Sequence, residues 1–226
     1  MLRFTRHGLW EMAVGTIALG LIGAGMWIIH PALAILPFGV WVWLMAFFRD
    51  PQRALPGDRD TWVSPADGLV SDITPIDNDP LLGGPAIRVG IFLSVFNVHV
   101  NRAPCDAKVI KTIYKEGKFI NALKHDEASS DNESNTILLA DDTGKPIAVV
   151  KQIVGLIARR IINTAREGTT VERGQRIGMI KFGSRTELVI PLWLSPDIKV
   201  KVGQKVRGAA DVIATVTPVP ATNLPA

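Results

Sequence analysis

A serine behind a glycine, a histidine, an aspartate and an arginine are the side chains whose types and settings could do covalent chemistry. Gly183-Ser184 lies between two strand-like runs, IGMIKF and RTELVIP. Asp67 lies in Ser64-Pro65-Ala66-Asp67-Gly68. His99 and Arg102 lie in Phe92-Leu93-Ser94-Val95-Phe96-Asn97-Val98-His99-Val100-Asn101-Arg102-Ala103-Pro104. A serine hydroxyl needs a base before it attacks a carbonyl, and Ser, His and Asp together suit that chemistry. Each also has a plain reading: Gly-Ser and Pro-Ala-Asp-Gly are turn sequences, and a histidine in an apolar run can be a satisfied core residue. No Gly-x-Ser-x-Gly elbow surrounds Ser184, which argues against an α/β-hydrolase. The single cysteine, Cys105, excludes an intramolecular disulfide framework and a cysteine-rich zinc site. It reads as a small buried hydrophobe. No metal site is expected.

The elements that must position these residues are mostly strands. From about Arg53, short β-rich runs alternate with Gly, Pro, Asp and Asn: residues 62–73, 86–93, 107–114, 135–142, 147–157 and 186–194. Helices are plausible only over 115–126 and 155–166. The strand–helix alternation of a dinucleotide fold and a Gly-rich phosphate loop are both missing. An internal repeat joins VERGQRIG (171–178) to VKVGQKVR (200–207), each a tight glycine turn between strands. This signature resembles barrel-sandwich hybrids, the fold of lipoyl and biotinyl carriers. Met179-Ile180-Lys181 approximates a carrier lysine, although Lys181 also reads as an ordinary strand residue. The stretch 217–226, with three prolines and no charge, reads as a disordered tail.

Residues 9–48 are almost wholly apolar, with Glu11 as the one acidic or basic charge. Two uncharged runs, 12–29 and 32–48, are interrupted at His30-Pro31, and each is near the lower limit for crossing a hydrocarbon core about 30 Å thick. Arg3 and Arg6 precede the first run, and Arg49 and Arg53 follow the second. The positive-inside rule sends both flanks to the cytoplasm. The expectation is a helical hairpin that spans or dips into the membrane, with everything after residue 50 cytoplasmic. Thr16, Gly20 and Ala24, four apart, could let two helices approach closely. Ala32-Leu33-Ala34 resembles a signal-peptide cleavage site, but the second apolar run behind it argues against that. Net charge is +4 in 226 residues without a dense basic run, so an anionic membrane surface is the better partner than nucleic acid.

Taken together, the motifs resemble phosphatidylserine decarboxylase in its short, membrane-anchored form. The resemblance runs through Phe47-Phe48-Arg49-Asp50-Pro51, SPADG (64–68), FLSVFNVHVNRAP (92–104), Asp131-Asn132-Glu133-Ser134-Asn135, Gln152-Ile153-Val154-Gly155 with Arg159-Arg160, and Phe182-Gly183-Ser184-Arg185. It covers about residues 1–215. It implies a hairpin anchor (1–50), a mainly β, barrel-sandwich-like decarboxylase domain (51–216) and a tail. It also implies a proenzyme cut between Gly183 and Ser184 into a β chain, 1–183, and an α chain, 184–226, that stay associated. Ser184 becomes a pyruvoyl group whose keto carbon takes the substrate's amine, with no pyridoxal phosphate and no metal. The resemblance implies phosphatidylserine in the membrane as substrate, with phosphatidylethanolamine and carbon dioxide as products; a homo-oligomer is compatible with this. His99 is implied as acid/base and Asp67 as its orienting or polarising partner. Long-form relatives carry two histidines three apart in this motif. Here the second position is Arg102, which leaves two divisions of labour open: His99 serves both reactions, or Asp67 acts on Ser184 more directly. Arg102 suits the substrate's phosphate or carboxylate, or a surface ion pair. Arg159-Arg160 suits lipid headgroups or a solvated helix face. Asn132, Glu133 and Asn135 read as a hydrogen-bonded support. The competing readings are a membrane-tethered carrier or binding module without catalysis, and a conventional anchored serine hydrolase.

Overall fold

The computed structural model describes residues 3–119, 125–155, 160–181 and 183–217. Arg159, Phe182 and the stretch 218–226 expected to be disordered lie outside the described residues. The chain divides into two compact units, Met1–Gln52 with Val95–Val98, and Arg53–Ser94 with His99–Ala226.

The first unit is built on two apolar helices, α1 (Leu9–Ile29) and α2 (Ile35–Phe47). Proline disfavours helical backbone in the residue before it, so α1 stops at His30, which is extended at φ −161°. The His30 Nδ1 accepts from Ala32 N at 3.2 Å and caps the short 3-10 turn Pro31–Ala34. The 21 residues of α1 reach about 31 Å, enough to cross a bilayer, and α2 is shorter. The helices do not pack through the expected Thr16–Gly20–Ala24 stripe. Thr16 Oγ1 accepts from Trp41 Nε1 at 2.9 Å, but Gly20 has nothing within 4 Å. The close approaches are at Gly15, where a Cβ would lie 2.3 Å from Leu44, and at Gly8, where one would strike the Phe48 ring. Backbone bonds Thr5 N→Phe48 O (2.9 Å) and Asp50 N→Arg3 O (2.7 Å) close the base of the hairpin.

The second unit is mainly β. Its strands are β1 (Thr61–Val63), β2 (Gly68–Asp79), β3 (Gly84–Leu93), β4 (Val100–Arg102), β5 (Ala107–Lys115), β6 (Ser134–Ala140), β7 (Pro146–Val154), β8 (Arg160–Asn163), β9 (Thr170–Val171), β10 (Arg176–Lys181), β11 (Ser184–Pro191), β12 (Asp197–Ile198), β13 (Lys205–Val206) and β14 (Val212–Thr215). Among the described residues they form an eight-stranded antiparallel sheet, β13-β2-β3-β11-β7-β6-β5-β9, and two three-stranded sheets, β4-β10-β8 and β1-β14-β12. The apolar core includes Val70, Val89, Ile91, Val150, Ile177, Leu188 and Ile190. The mainly β architecture behind an apolar helical segment is the one expected.

The internal repeat is structural. Glu172 N donates to Gln175 Oε1 at 2.8 Å, and Lys201 N donates to Gln204 Oε1 at 3.1 Å. Gly174 (φ +79°) and Gly203 (φ +85°) take the left-handed backbone that such turns require. Neither turn closes a hairpin, because β9 pairs with β5 while β10 pairs with β4 and β8. Each turn carries the chain from one sheet to another.

The helix expected over 155–166 is corrected: Arg160–Asn163 is β8, paired with β10. Its Ile161-Ile162 pair is β-branched and half-buried, which favours a strand. A short helix, α3 (His125–Asp131), falls at the end of the other expected segment and beyond it.

Candidate active site

β11 lies between β3 and β7, in register with both, so Ser184 faces Leu93 on one side and Val154 on the other. Alternation along β11 puts Ser184 and Thr186 on the face of Leu188 and Ile190, and Arg185 and Glu187 on the opposite face. All eight residues of β11 are buried.

Gly183 enters this strand with left-handed backbone, φ +71°, and its N–H donates to His99 Nε2 at 3.3 Å. A nitrogen that accepts from a backbone N–H presents the lone pair that a base needs. Ser184 is fully buried, and its Oγ has no hydrogen-bond partner among the described residues. A buried hydroxyl ordinarily finds one. Thus a basic imidazole nitrogen, a glycine in its permissive conformation and an uncommitted hydroxyl meet at one peptide bond.

Asp67 is engaged elsewhere. Its carboxylate accepts from Arg53 Nη1 (2.5 Å), Arg53 Nη2 (2.7 Å) and Gly208 N (2.8 Å). Gly68 opens β2 where that strand meets the end of β3, and β3 in turn separates β2 from Ser184 on β11. The Asp67 loop is tied to the His99 segment through Arg102 N→Pro65 O (2.9 Å). Arg102 is buried rather than on the surface, and its Nη1 donates to Gly174 O at 3.0 Å. Arg160 is exposed on β8.

Two polar groupings lie along β11, of which motif reasoning had given a role only to Asn135. On the Ser184 face, Asn101 Nδ2 donates to Thr186 Oγ1 (2.9 Å), Gln152 Nε2 to Asn101 Oδ1 (2.9 Å) and Asn135 Nδ2 to Gln152 Oε1 (3.0 Å). On the opposite face, the fully buried Arg185 donates to Glu187 (2.8 Å), Ser71 (2.6 Å) and Asp72 (2.6 Å). A Cβ at position 90 would lie 2.1 Å from Arg185 Nη2, so Gly90 supplies the room for the guanidinium. Burial holds the nearby Lys151 ammonium below the ordinary lysine range, partly offset by Glu187. An arginine and a glutamate two apart in a strand that runs on into Leu-Val-Ile-Pro is the sequence signal that could have revealed this network. Asn132 Nδ2 donates to Val154 O at 2.8 Å, and Val154 N donates to Glu133 O at 3.1 Å. These residues brace the strand beside Ser184. Lys181, the candidate carrier lysine, is buried in β10 and does not sit on a turn. Cys105 is buried, and burial, reinforced by Asp106, pushes its thiol pKa up.

Fold and site together define a mainly β enzyme domain behind an apolar helical segment, with a serine and an imidazole at one buried peptide bond. The family model for phosphatidylserine decarboxylase matches residues 42–214. The chain is 39% identical over 211 residues to the phosphatidylserine decarboxylase proenzyme of Carboxydothermus hydrogenoformans, covering 93% of this chain and 95% of the relative. It is 44% identical to the proenzyme of Granulibacter bethesdensis (91% and 82% covered) and 43% identical to that of Rhodopirellula baltica (94% and 88% covered). The chain belongs to the phosphatidylserine decarboxylase family, a family of carboxy-lyases.

Proposed function

We propose that this chain is made as a precursor, cuts itself between Gly183 and Ser184, and converts phosphatidylserine to phosphatidylethanolamine and carbon dioxide. The observation that carries this reading is the Gly183–Ser184 bond itself. Its glycine is left-handed, its serine hydroxyl is buried without a partner among the described residues, and His99 Nε2 lies on the Gly183 N–H.

In this reading His99 Nε2 exchanges its 3.3 Å bond to Gly183 N for the Ser184 hydroxyl and takes its proton. Ser184 Oγ attacks the Gly183 carbonyl carbon, the Gly183–Ser184 C–N bond breaks, and the serine nitrogen receives the proton. Gly183 and Ser184 are then joined as an ester. Loss of the Ser184 α-proton expels the Gly183 carboxylate as a new C-terminus. Tautomerisation and hydrolysis of the remaining dehydroalanine release ammonia and leave a pyruvoyl group at residue 184. The setting fits that group, since an uncommitted Oγ is the atom this chemistry consumes. The pyruvoyl carbonyl supplies the electron sink an amino-acid head group needs to lose carbon dioxide.

Asp67, bonded to Arg53 and Gly208 N, serves as the polarising partner of the His99 segment, to which its loop is tied through Arg102 N→Pro65 O. Arg102 is assigned to the acidic part of the substrate. The two chains, 1–183 and 184–226, stay together because β11 remains between β3 and β7. The hairpin anchors the protein in the cell membrane, with its arginine-bearing flanks and the β domain on the cytoplasmic side. Neither pyridoxal phosphate nor a metal takes part.

Intact mass tests this directly. Purified protein should give two chains, the smaller blocked to amino-terminal sequencing, and Ser184→Ala should stay whole and inactive. A wild-type chain that remains uncut and fully active overturns the reading.

A further inference from the structure

We propose that Phe96 inserts into the phospholipid interface and docks the loop between β3 and β4 on the bilayer that holds the substrate. Residues Val95–Val98 belong to the same compact unit as the hairpin. The Arg49 guanidinium joins the two, donating through Nη1 to Ala46 O (2.5 Å) at the end of α2 and through Nη2 to Phe96 O (2.8 Å). The backbone of Phe96 is therefore pinned to the base of the hairpin while its ring is 72% exposed. Its loop neighbour Val98 is buried, so the exposure is particular to the ring. Phe4, bridged to Arg49, is 43% exposed at the same end, and Arg3 and Arg6 are exposed beside it.

Exposed phenylalanines among guanidinium groups at the end of an apolar hairpin suit one occupant, an anionic lipid surface. The rings can enter the acyl boundary while the arginines meet phosphate and carboxylate. The apolar exterior of the hairpin, with Trp10, Leu21 and Ile28 outward, continues the same surface. The consequence is set by chain connectivity: Leu93, the β3 partner of Ser184, precedes Phe96 by three residues, and His99 follows it by three. Docking Phe96 brings this stretch to headgroup depth.

This inference rests on the hairpin being a membrane anchor, and the test separates the two. The full chain carrying Phe96→Cys is labelled with an environment-sensitive fluorophore; Cys105, 3% exposed, does not compete. A second preparation is labelled at Leu21→Cys. Both are placed in phosphatidylcholine–phosphatidylserine vesicles containing doxyl-labelled lipid. Quenching at both positions is expected. Quenching at 21 alone overturns the proposal and leaves the anchor standing, whereas quenching at neither removes both. Self-quenching between copies at position 96 without lipid quenching assigns the ring to a second copy and also overturns it. In activity assays, Phe96→Ser should lower turnover of bilayer phosphatidylserine roughly three- to thirty-fold, the range expected for losing part of a phenylalanine's burial. Self-cleavage and turnover of soluble short-chain phosphatidylserine should stay near wild type, and Phe96→Trp should restore bilayer activity. Wild-type bilayer activity in Phe96→Ser sinks the idea.

Discussion

At position 183 a side chain would have to adopt left-handed backbone, which costs roughly 1–2 kcal/mol for residues other than glycine. The neighbouring imidazole carries the heavier burden. In the mechanism proposed above, His99, the one histidine of the motif, both takes the Ser184 proton and returns one. His99→Ala should therefore block maturation or slow it by roughly a hundred-fold or more. Arg102→Ala should mature normally and weaken substrate binding. Cleaved fraction against time, followed by turnover per pyruvoyl group, checks both. Failure of Arg102→Ala to cut would move that residue from the substrate to the Gly174 turn its guanidinium already holds. Ser184, His99 and Asp67 stood out as candidates in the sequence because hydroxyl, imidazole and carboxylate advertise their chemistry. The partner of Asp67 was not. Arg53 read as a positive flank of the hairpin, and nothing local in sequence tells a lipid-facing arginine from one that turns inward to a carboxylate.

Among the elements, β11 is the one whose two faces carry different work. Its outward alternate, Arg185, is fully buried and joined to Asp72 and Glu187. Removing one partner of a buried ionic group strands the others, at a cost of about 3–5 kcal/mol. Arg185→Met should lower the unfolding free energy of the uncut Ser184→Ala background, read from urea titration, by that amount; an unchanged midpoint would mean that the acids are solvated after all. Strand positions were legible because alternation and turn residues mark them, and the Gly174 and Gly203 turns repeat down to the glutamine that caps each. Arg160–Asn163 was misread because four residues are too few for periodicity to separate helix from strand. The helix contact through Gly8 and Gly15 was missed because spacing alone does not say which of several small-residue stripes meets a partner.

For the whole molecule, the division at Gln52/Arg53 predicts separable duties. Deleting residues 1–48 should leave self-cleavage intact, because Gly183, Ser184, His99, Asp67 and Arg53 are all retained. It should cut activity on bilayers more than on detergent-dispersed lipid, as paired assays would read out. Loss of cleavage would make the hairpin part of the catalytic fold. One consequence follows from the place of β11 between β3 and β7. The precursor folds as one chain, with the sequence order of its strands guiding assembly. In the cut form proposed above, the same sheet is held by two chains, and the strand that begins at residue 184 has no covalent lead to return it to its slot. The mature protein is then persistent without being renewable. Diluted from urea, Ser184→Ala should recover its fold, whereas the cut protein should not recover activity. For the cut form, the height of the unfolding barrier, more than the depth of the native well, sets its working lifetime.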